Sequence, residues 1–516
     1  MAPQKTFTRD DVAKHNTEDS LWTIIDSKVY DLTDFVDAHP GGAAVLHQVA
    51  GRDSTTDFYN LHRHDVLTRY DRTLLIGTIR GESPQVVNPG PGELSRVPYA
   101  EPTWLAEPFS RRNPYYKDSH RRLQKAMRDF TDRYVTPEAR EAEESGEYIS
   151  QELIDRMAAN GVLHMRLGPG PHLQGVEILG GVVDPSEFDF FHDLIVAQEL
   201  ARTGARGFQD GNMAGMTIGL TVVLNFANSP ALRDRVSAEV LSGRKKLCLA
   251  ITEAFAGSDV AGIRTTARKS ADGSHYIVNG TKKWITNGVW SDYFVTAVRT
   301  ENGLSVLLIE RGEGVETKPI KTSYSPAAGT TYITFDNVKV PAENLLGQEN
   351  RGIHVVLSNF NHERWTMACA TVRMCRNVVE ESLKWANQRI VFGKPLIDQP
   401  VIRQKLAKMI ALTEANQSWL ETITYQMCQM PYKEQAKHLG GPIALLKTST
   451  TRAAHEIADE AVSIWGGRAL TRTGMGRVIE MFNRSNKFDA VLGGEEGILS
   501  DLAVRQAMRN MPKERL

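Results

Sequence analysis

The period of the apolar positions changes several times along the chain, and each change marks a unit. In residues 1–81, two runs of strand character, Trp22-Thr23-Ile24-Ile25-Asp26 and Lys28-Val29-Tyr30-Asp31-Leu32, flank a turn, and an acidic, histidine-rich stretch of helical period follows. Residues 82–112 carry Pro84, Pro89, Pro91, Pro98, Pro102 and Pro108. Proline fixes φ and removes a backbone donor, so an extended linker is expected here. Tyr99, Trp104 and Phe109 within it imply that it lies along a surface. From 113 to 246 the period is helical, with helices expected at 120–134, 152–159 and 188–201 and breaks at Gly168-Pro169-Gly170-Pro171 and Gly180-Gly181. From 247 to 345 the period falls to two. Asp272-Gly273, Asn279-Gly280 and Asn302-Gly303 stand between apolar runs there and read as hairpin turns of an antiparallel meander. From 346 to 516 long helical stretches return at 352–390, 400–430, 436–465 and 487–510, the pattern of a four-helix bundle.

A length of 516 residues suits three or four units at about 150 residues each. Apolar residues make up 41% and charged residues 24%, which supports sizeable cores and excludes long disorder. Lys plus Arg is 61 against 62 Asp plus Glu, so no basic footprint points to nucleic acid. Cys248, Cys369, Cys375 and Cys428 are too scattered for a zinc ribbon and read as free thiols in a reducing compartment. No apolar run is long enough to span a bilayer, and the start lacks a signal core. The expectation is a soluble intracellular protein, cytoplasmic first, with mitochondrion or peroxisome as alternatives. Glu514-Arg515-Leu516 matches a peroxisomal Ser-Lys-Leu tail only in its leucine and basic neighbour.

His39-Pro40-Gly41-Gly42 puts a histidine before a turn that fixes its backbone and leaves room for a flat ligand. His62 lies 23 residues further on, after Phe58. Two imidazoles reaching a pocket from opposite sides bind a haem iron axially, and an iron with both positions taken suits electron transfer over oxygen chemistry. With Trp22, Val29-Tyr30-Asp31-Leu32, Ala50-Gly51-Arg52-Asp53 and Leu75-Ile76-Gly77, these residues resemble the cytochrome b5-like haem domain over residues 6–81. The resemblance implies haem b with His39 and His62 on the iron. His64, on the opposite helical face from His62, is the alternative second ligand.

The stretch 249–262 joins helical to strand sequence. Gly257 and Gly262 allow close backbone approach, and Thr252 and Ser258 offer donors for a phosphate or ring edge. Trp284 and Thr286 end a later strand, where an indole can cover a flat ring and a hydroxyl can bond to its edge. Together with Phe335-Asp336-Asn337-Val338-Lys339-Val340-Pro341, Arg389-Ile390-Val391-Phe392-Gly393-Lys394-Pro395-Leu396, Gln399, Trp465-Gly466-Gly467 and Leu502-Ala503-Val504-Arg505, these pieces resemble the acyl-CoA dehydrogenase family across residues 113–512. The resemblance implies FAD, held by Leu249, Ile251, Thr252, Ser258, Trp284 and Thr286. It also implies that Arg389, Phe392 and Gln399 reach a neighbouring subunit's FAD, with Gly466 and Gly467 near the adenosine. Ala469 departs from the usual Gly-Gly-x-Gly there. The implied fold is multidomain α+β: a small α+β haem domain, then an α-helical domain, an antiparallel β-barrel and a four-helix bundle. A homodimer or homotetramer is implied as well. No Gly-x-Gly-x-x-Gly follows a strand, so no nicotinamide domain is expected.

The family reaction removes an α-proton from an acyl thioester and passes the β-hydrogen to flavin N5 as hydride, which needs a carboxylate shielded from water. Many members carry that glutamate in a Tyr-Glu-Gly-Thr loop near the end of the chain; the matching slot here is Gly493. Others carry it in a Glu-Arg pair on a bundle helix, the form of Asn361-His362-Glu363-Arg364. Glu363 is therefore the expected base, and Glu495 of Glu495-Glu496-Gly497 the second candidate. The expected function is dehydrogenation of an acyl-CoA or similar thioester, with electrons relayed to the fused haem and an unknown final acceptor. The alternatives are a flavin oxidase or desaturase acting on a non-CoA substrate and a non-catalytic electron carrier.

Overall fold

A computed structural model describes residues 5–86, 89–509 and 511–512, apart from the side chains of 212–214. Near the N-terminus, alternation puts Leu21 and Tyr30 on one face of a twisted sheet. Its strands are β1 (Thr6–Phe7), β2 (Asn16–Thr17), β3 (Ser20–Ile25), β4 (Lys28–Asp31) and β5 (Leu75–Ile79), in the order β1-β5-β4-β3-β2. The helices α1 (Ala43–Val49), α2 (Thr55–Leu61) and α3 (His64–Leu74) close over that face with Leu46, Tyr59 and Leu67.

The proline-rich segment is bolted down by a buried carboxylate. Glu101 accepts from Arg128 Nη1 at 2.6 Å and Nη2 at 2.8 Å, and from Arg373 at 3.1 Å. Arg128 also donates to Glu199. Trp104 is buried and stacks on Tyr116 with ring centres 3.9 Å apart, while Tyr99 and Phe109 stay exposed.

The helical region that follows is led by α4 (Asp118–Phe130), α5 (Phe190–Ala201) and α6 (Gly215–Phe226). The next strands are β6 (Leu247–Ala250), β7 (Thr266–Lys269), β8 (His275–Ile285), β9 (Tyr293–Thr300), β10 (Gly303–Glu310), β11 (Val315–Pro319), β12 (Thr331–Pro341) and β13 (Leu345–Leu346). They form one sheet in the order β11-β12-β8-β7-β9-β10-β13, with β6 also on β9. This corrects two expectations. The sheet stays open between β11 and β13 among the described residues, so it is not a closed barrel. It is also mixed, because β6 and β7 both run parallel to β9.

Asp272-Gly273 and Asn302-Gly303 do turn hairpins, but Asn279-Gly280 lies inside β8. Gly280 has φ +144°, and a Cβ there would sit 2.6 Å from Thr265 Cα. The partner strand slips register between Phe335 and Val338, so this dipeptide marks a bulge and a close backbone approach.

The bundle is built from α7 (Phe360–Gln388), α8 (Pro400–Cys428), α9 (Gly440–Trp465), α10 (Arg477–Val491) and α11 (Glu496–Arg509). The helix expected at 487–510 is in fact α10 and α11, broken at Gly493-Gly494, where φ is +68° and +110°. Separate short helices, Gly352–Leu357 and Tyr432–His438, likewise precede α7 and α9.

Replacing Glu101 with Leu removes the carboxylate paired with the buried Arg373 and one of the two paired with Arg128. The expected outcome is a loss of about 3 kcal/mol in urea unfolding and faster protease cleavage between 82 and 112. An unchanged midpoint would show that the segment is held by its apolar contacts alone.

Candidate functional site

Two sites emerge, one in each part of the chain. In the small domain, His39 lies beyond β4 and His62 caps the end of α2. Their ring centres are 6.0 Å apart. Two imidazoles sharing one metal at about 2 Å per nitrogen put their ring centres about 6 Å apart, so this pair would hold one iron between them. His39 Nδ1 donates to the Gly42 carbonyl at 3.2 Å, which leaves Nε2 for a metal. His62 Nδ1 is buried without a partner, and burial followed by the charge of His39 lowers the pKa of this ring, keeping it neutral. His64 turns away and bonds through Nδ1 to the Tyr59 hydroxyl at 2.9 Å.

The flavin candidates converge on β8 and the loop before it. Lys282, fully buried, donates to the Ile251 carbonyl at 2.9 Å and to Glu253 at 2.8 Å. Glu253 also takes Arg264 N at 2.6 Å and Thr265 N at 2.9 Å. This pair, which sequence reasoning missed, ties the loop bearing Thr252 and Ser258 to the strand bearing Trp284. Leu249 precedes the loop in β6. The hydroxyls of Thr252, Ser258 and Thr286 make no hydrogen bond to any described residue, and Trp284 is half exposed, 53%, with φ +65°. A set of free hydroxyls beside a half-exposed indole, with Lys283 Nζ 4.5 Å from its centre, fits the edge and phosphates of FAD.

A second group lies elsewhere. Arg389 follows the end of α7, and its guanidinium lies over Trp385. Phe392 is 94% exposed, and Gln399 caps α8. Gly466 and Gly467, at the end of α9, are exposed, and a Cβ added to either would meet open space. Phe392, Gly466 and Gly467 are exposed within one chain, which fits contacts made across a subunit boundary.

Glu363 lies in the first turn of α7 and, with Thr286, lines a chamber that also includes Arg166, Arg206, Asp210 and Met367. Its carboxylate accepts no hydrogen bond from a described residue. Burial raises its pKa to about 7 against the opposing charges of Arg364, Lys447 and His362. Those neighbours are otherwise engaged: Arg364 donates to the Gly493 carbonyl at 2.8 Å and Lys447 to the Gly494 carbonyl at 2.8 Å, while His362 pairs with Asp193 at 2.7 Å. A Cβ on Gly493 would stand 2.8 Å from Met367 Sδ and 3.7 Å from Glu363 Oε1. The bare glycine thus leaves room for the carboxylate delivered from α7.

Glu495 is exposed and accepts from Gly497 N at 2.8 Å and Ile498 N at 3.2 Å as the cap of α11. Those bonds lower its pKa, so it serves the helix end and not the chamber. Deeper in the chamber, Arg206 is held by Asp489 and by Asp210 at 2.6 Å. Asp489 balances the arginine, so burial carries the Asp210 carboxyl well above its ordinary range. Neither was legible in the sequence.

Residues 8–80 match the cytochrome b5-like heme/steroid binding domain. Residues 117–244, 248–338 and 350–508 match the N-terminal, middle and C-terminal domains of acyl-CoA dehydrogenase. Acyl-CoA dehydrogenase apdG of Emericella nidulans is 40% identical over 428 residues, covering 81% of this chain and 96% of that protein. Acyl-CoA dehydrogenase AFT10-1 of Alternaria alternata is 36% identical, covering 81% and 97%. Among solved structures, a probable acyl-CoA dehydrogenase from Mycobacterium abscessus is similar with TM-score 0.68 and 26% identity, covering 76% of this chain and all of that one, 100%. The chain belongs to the acyl-CoA dehydrogenase family and carries a cytochrome b5-like domain fused at its N-terminal side. It is an FAD-dependent oxidoreductase with haem as its second cofactor. No helix among the described residues is long and apolar enough to cross a membrane.

The haem ligands are separable by spectroscopy. His62→Ala is expected to lose the six-coordinate low-spin spectrum while His64→Ala keeps it; the reverse result would make His64 the ligand.

Proposed function

We propose that the protein dehydrogenates an acyl-CoA, or a similar acyl thioester, between its α and β carbons, with Glu363 as the base. The observation that carries this reading is the position of Glu363: buried, free of donors, and sharing a chamber with Thr286 beside the side-chain-free Gly493. A carboxylate with no hydrogen bond to satisfy it and a raised pKa is well matched to take a carbon-bound proton near neutrality. FAD, when bound, supplies the two-electron acceptor for the β-hydrogen. Leu249, Ile251, Thr252, Ser258, Trp284 and Thr286 would hold its ring and phosphates. Arg389, Phe392, Gln399, Gly466 and Gly467 would hold it from a neighbouring copy, which makes the working unit a homodimer or homotetramer.

Haem, when bound by His39 and His62, supplies a one-electron acceptor, and we read it as the next station for the electrons. Three polar contacts support this reading by seating the haem domain on the dehydrogenase body. Arg63, next to His62, pairs with Glu381; Gln388 donates to the Tyr59 carbonyl; and Arg477 pairs with Asp65. Glu381 and Gln388 lie on α7, the helix that bears Glu363. The haem domain is thus held by the same rigid rod that presents the base.

Glu363→Gln is expected to retain FAD and lose at least about 10³-fold in anaerobic flavin reduction by acyl-CoA. Since the base works ionised and its folded pKa is about 7, flavin reduction by the unmodified protein should fall as pH drops through 7 and level off above it. A flat profile between pH 6 and 8 would remove Glu363 from the role. Glu381→Arg reverses one side of the docking pair; stopped-flow spectra should show an unchanged flavin phase and a slower haem phase. A haem phase that never follows the flavin phase, even in the unmodified protein, would end the relay reading.

A further inference from the structure

The chamber wall holds two arginines in opposite states. Arg206 is saturated by Asp489 and Asp210. Arg166, just after the short helix Val162–Met165, is 6% exposed and lines the same chamber as Glu363. Its Nε is buried without a partner, and its guanidinium makes no hydrogen bond or ion pair with any described residue. The carboxylate that acts on it most is Asp193, which does so through space: its Oδ2 is taken by His362, and its Oδ1 is buried without a hydrogen bond to a described residue.

Arginine stays charged even when buried, and a buried cation without a partner costs several kcal/mol. Such a group persists at a site where a ligand completes it. The rest of the lining mixes apolar side chains, among them Ala197, Leu200, Ile218 and Ala370, with the polar Gln209, Thr217 and Thr366. A purely hydrocarbon chain would fill that lining and leave the guanidinium dry and unpaired.

We propose that the acyl group accepted by this chamber carries an oxygen substituent, a hydroxyl or a carboxylate, that accepts hydrogen bonds from Arg166. The proposal rests on the dehydrogenase reading and adds to it the class of acyl chain. Arg166 is then a specificity residue for that substituent and takes no part in moving the proton or the hydride.

The test uses the FAD-loaded, full-length protein under anaerobic conditions. Acyl-CoAs of equal carbon count are compared in three forms: unsubstituted, hydroxylated, and ending in a carboxylate. At least one oxygenated form should exceed its hydrocarbon twin by about tenfold or more in kcat/KM for flavin reduction, and the better of the two identifies the substituent. Arg166→Met, matched for length and apolar, should reverse the preference, whereas Arg166→Lys should keep part of it; FAD retention in both variants monitors folding. If the unmodified protein reduces as fast or faster with the hydrocarbon series, the guanidinium is satisfied by water and the proposal is overturned, while the dehydrogenase reading stands. If no thioester of any form reduces the flavin, the dehydrogenase reading falls and this proposal falls with it.

Discussion

A carboxylate that is to pull a proton from carbon must be withheld from every donor that would satisfy it. Around Glu363 three basic side chains stand close enough to quench it, and each is given other work. Arg364 and Lys447 are spent on the carbonyls of Gly493 and Gly494, and His362 is spent on Asp193. The residual effect of their charge moderates the burial penalty without cancelling it, which leaves the group near neutrality. The break between α10 and α11 is part of the same arrangement, because its carbonyls are the acceptors that occupy those cations.

One helix links the two redox halves. The rise from Glu363 to Glu381 along α7 is about 27 Å at about 1.5 Å per residue step. The proposed base stands at one end of this rod, and the haem domain is seated at the other. The proline-rich segment adds a second tether through Glu101, whose partner Arg373 also lies on α7. Haem domain, connecting segment and chamber therefore share one helix, the segment through the buried Glu101 pairs and the haem domain through the part-buried Arg63–Glu381 pair.

Much of this was legible in one dimension because local chemistry announces itself locally. The His39-Pro40-Gly41-Gly42 turn, the helical periods and the empty slot at Gly493 are contiguous signals. What escaped was non-local. The parallel pairings of β6 and β7 with β9 join strands separated by long connections, so a strand period of two could not distinguish them from a meander. Asn279-Gly280 carries the composition of a turn, but its glycine serves a close approach to Thr265 across the sheet. Lys282, Glu253, Arg206, Asp210 and Arg166 look like ordinary surface charges along the chain; only folding shows that they are buried, and which of them lacks a partner.

The most direct test of the account isolates proton removal from electron transfer. The holoenzyme is incubated in deuterated water with an acyl-CoA that has α-hydrogens but no β-hydrogen, and α-exchange is followed by NMR. The account predicts exchange by the unmodified protein, faster above pH 7 than below it, and none by Glu363→Gln. Exchange that persisted undiminished in the Glu363→Gln protein would contradict it.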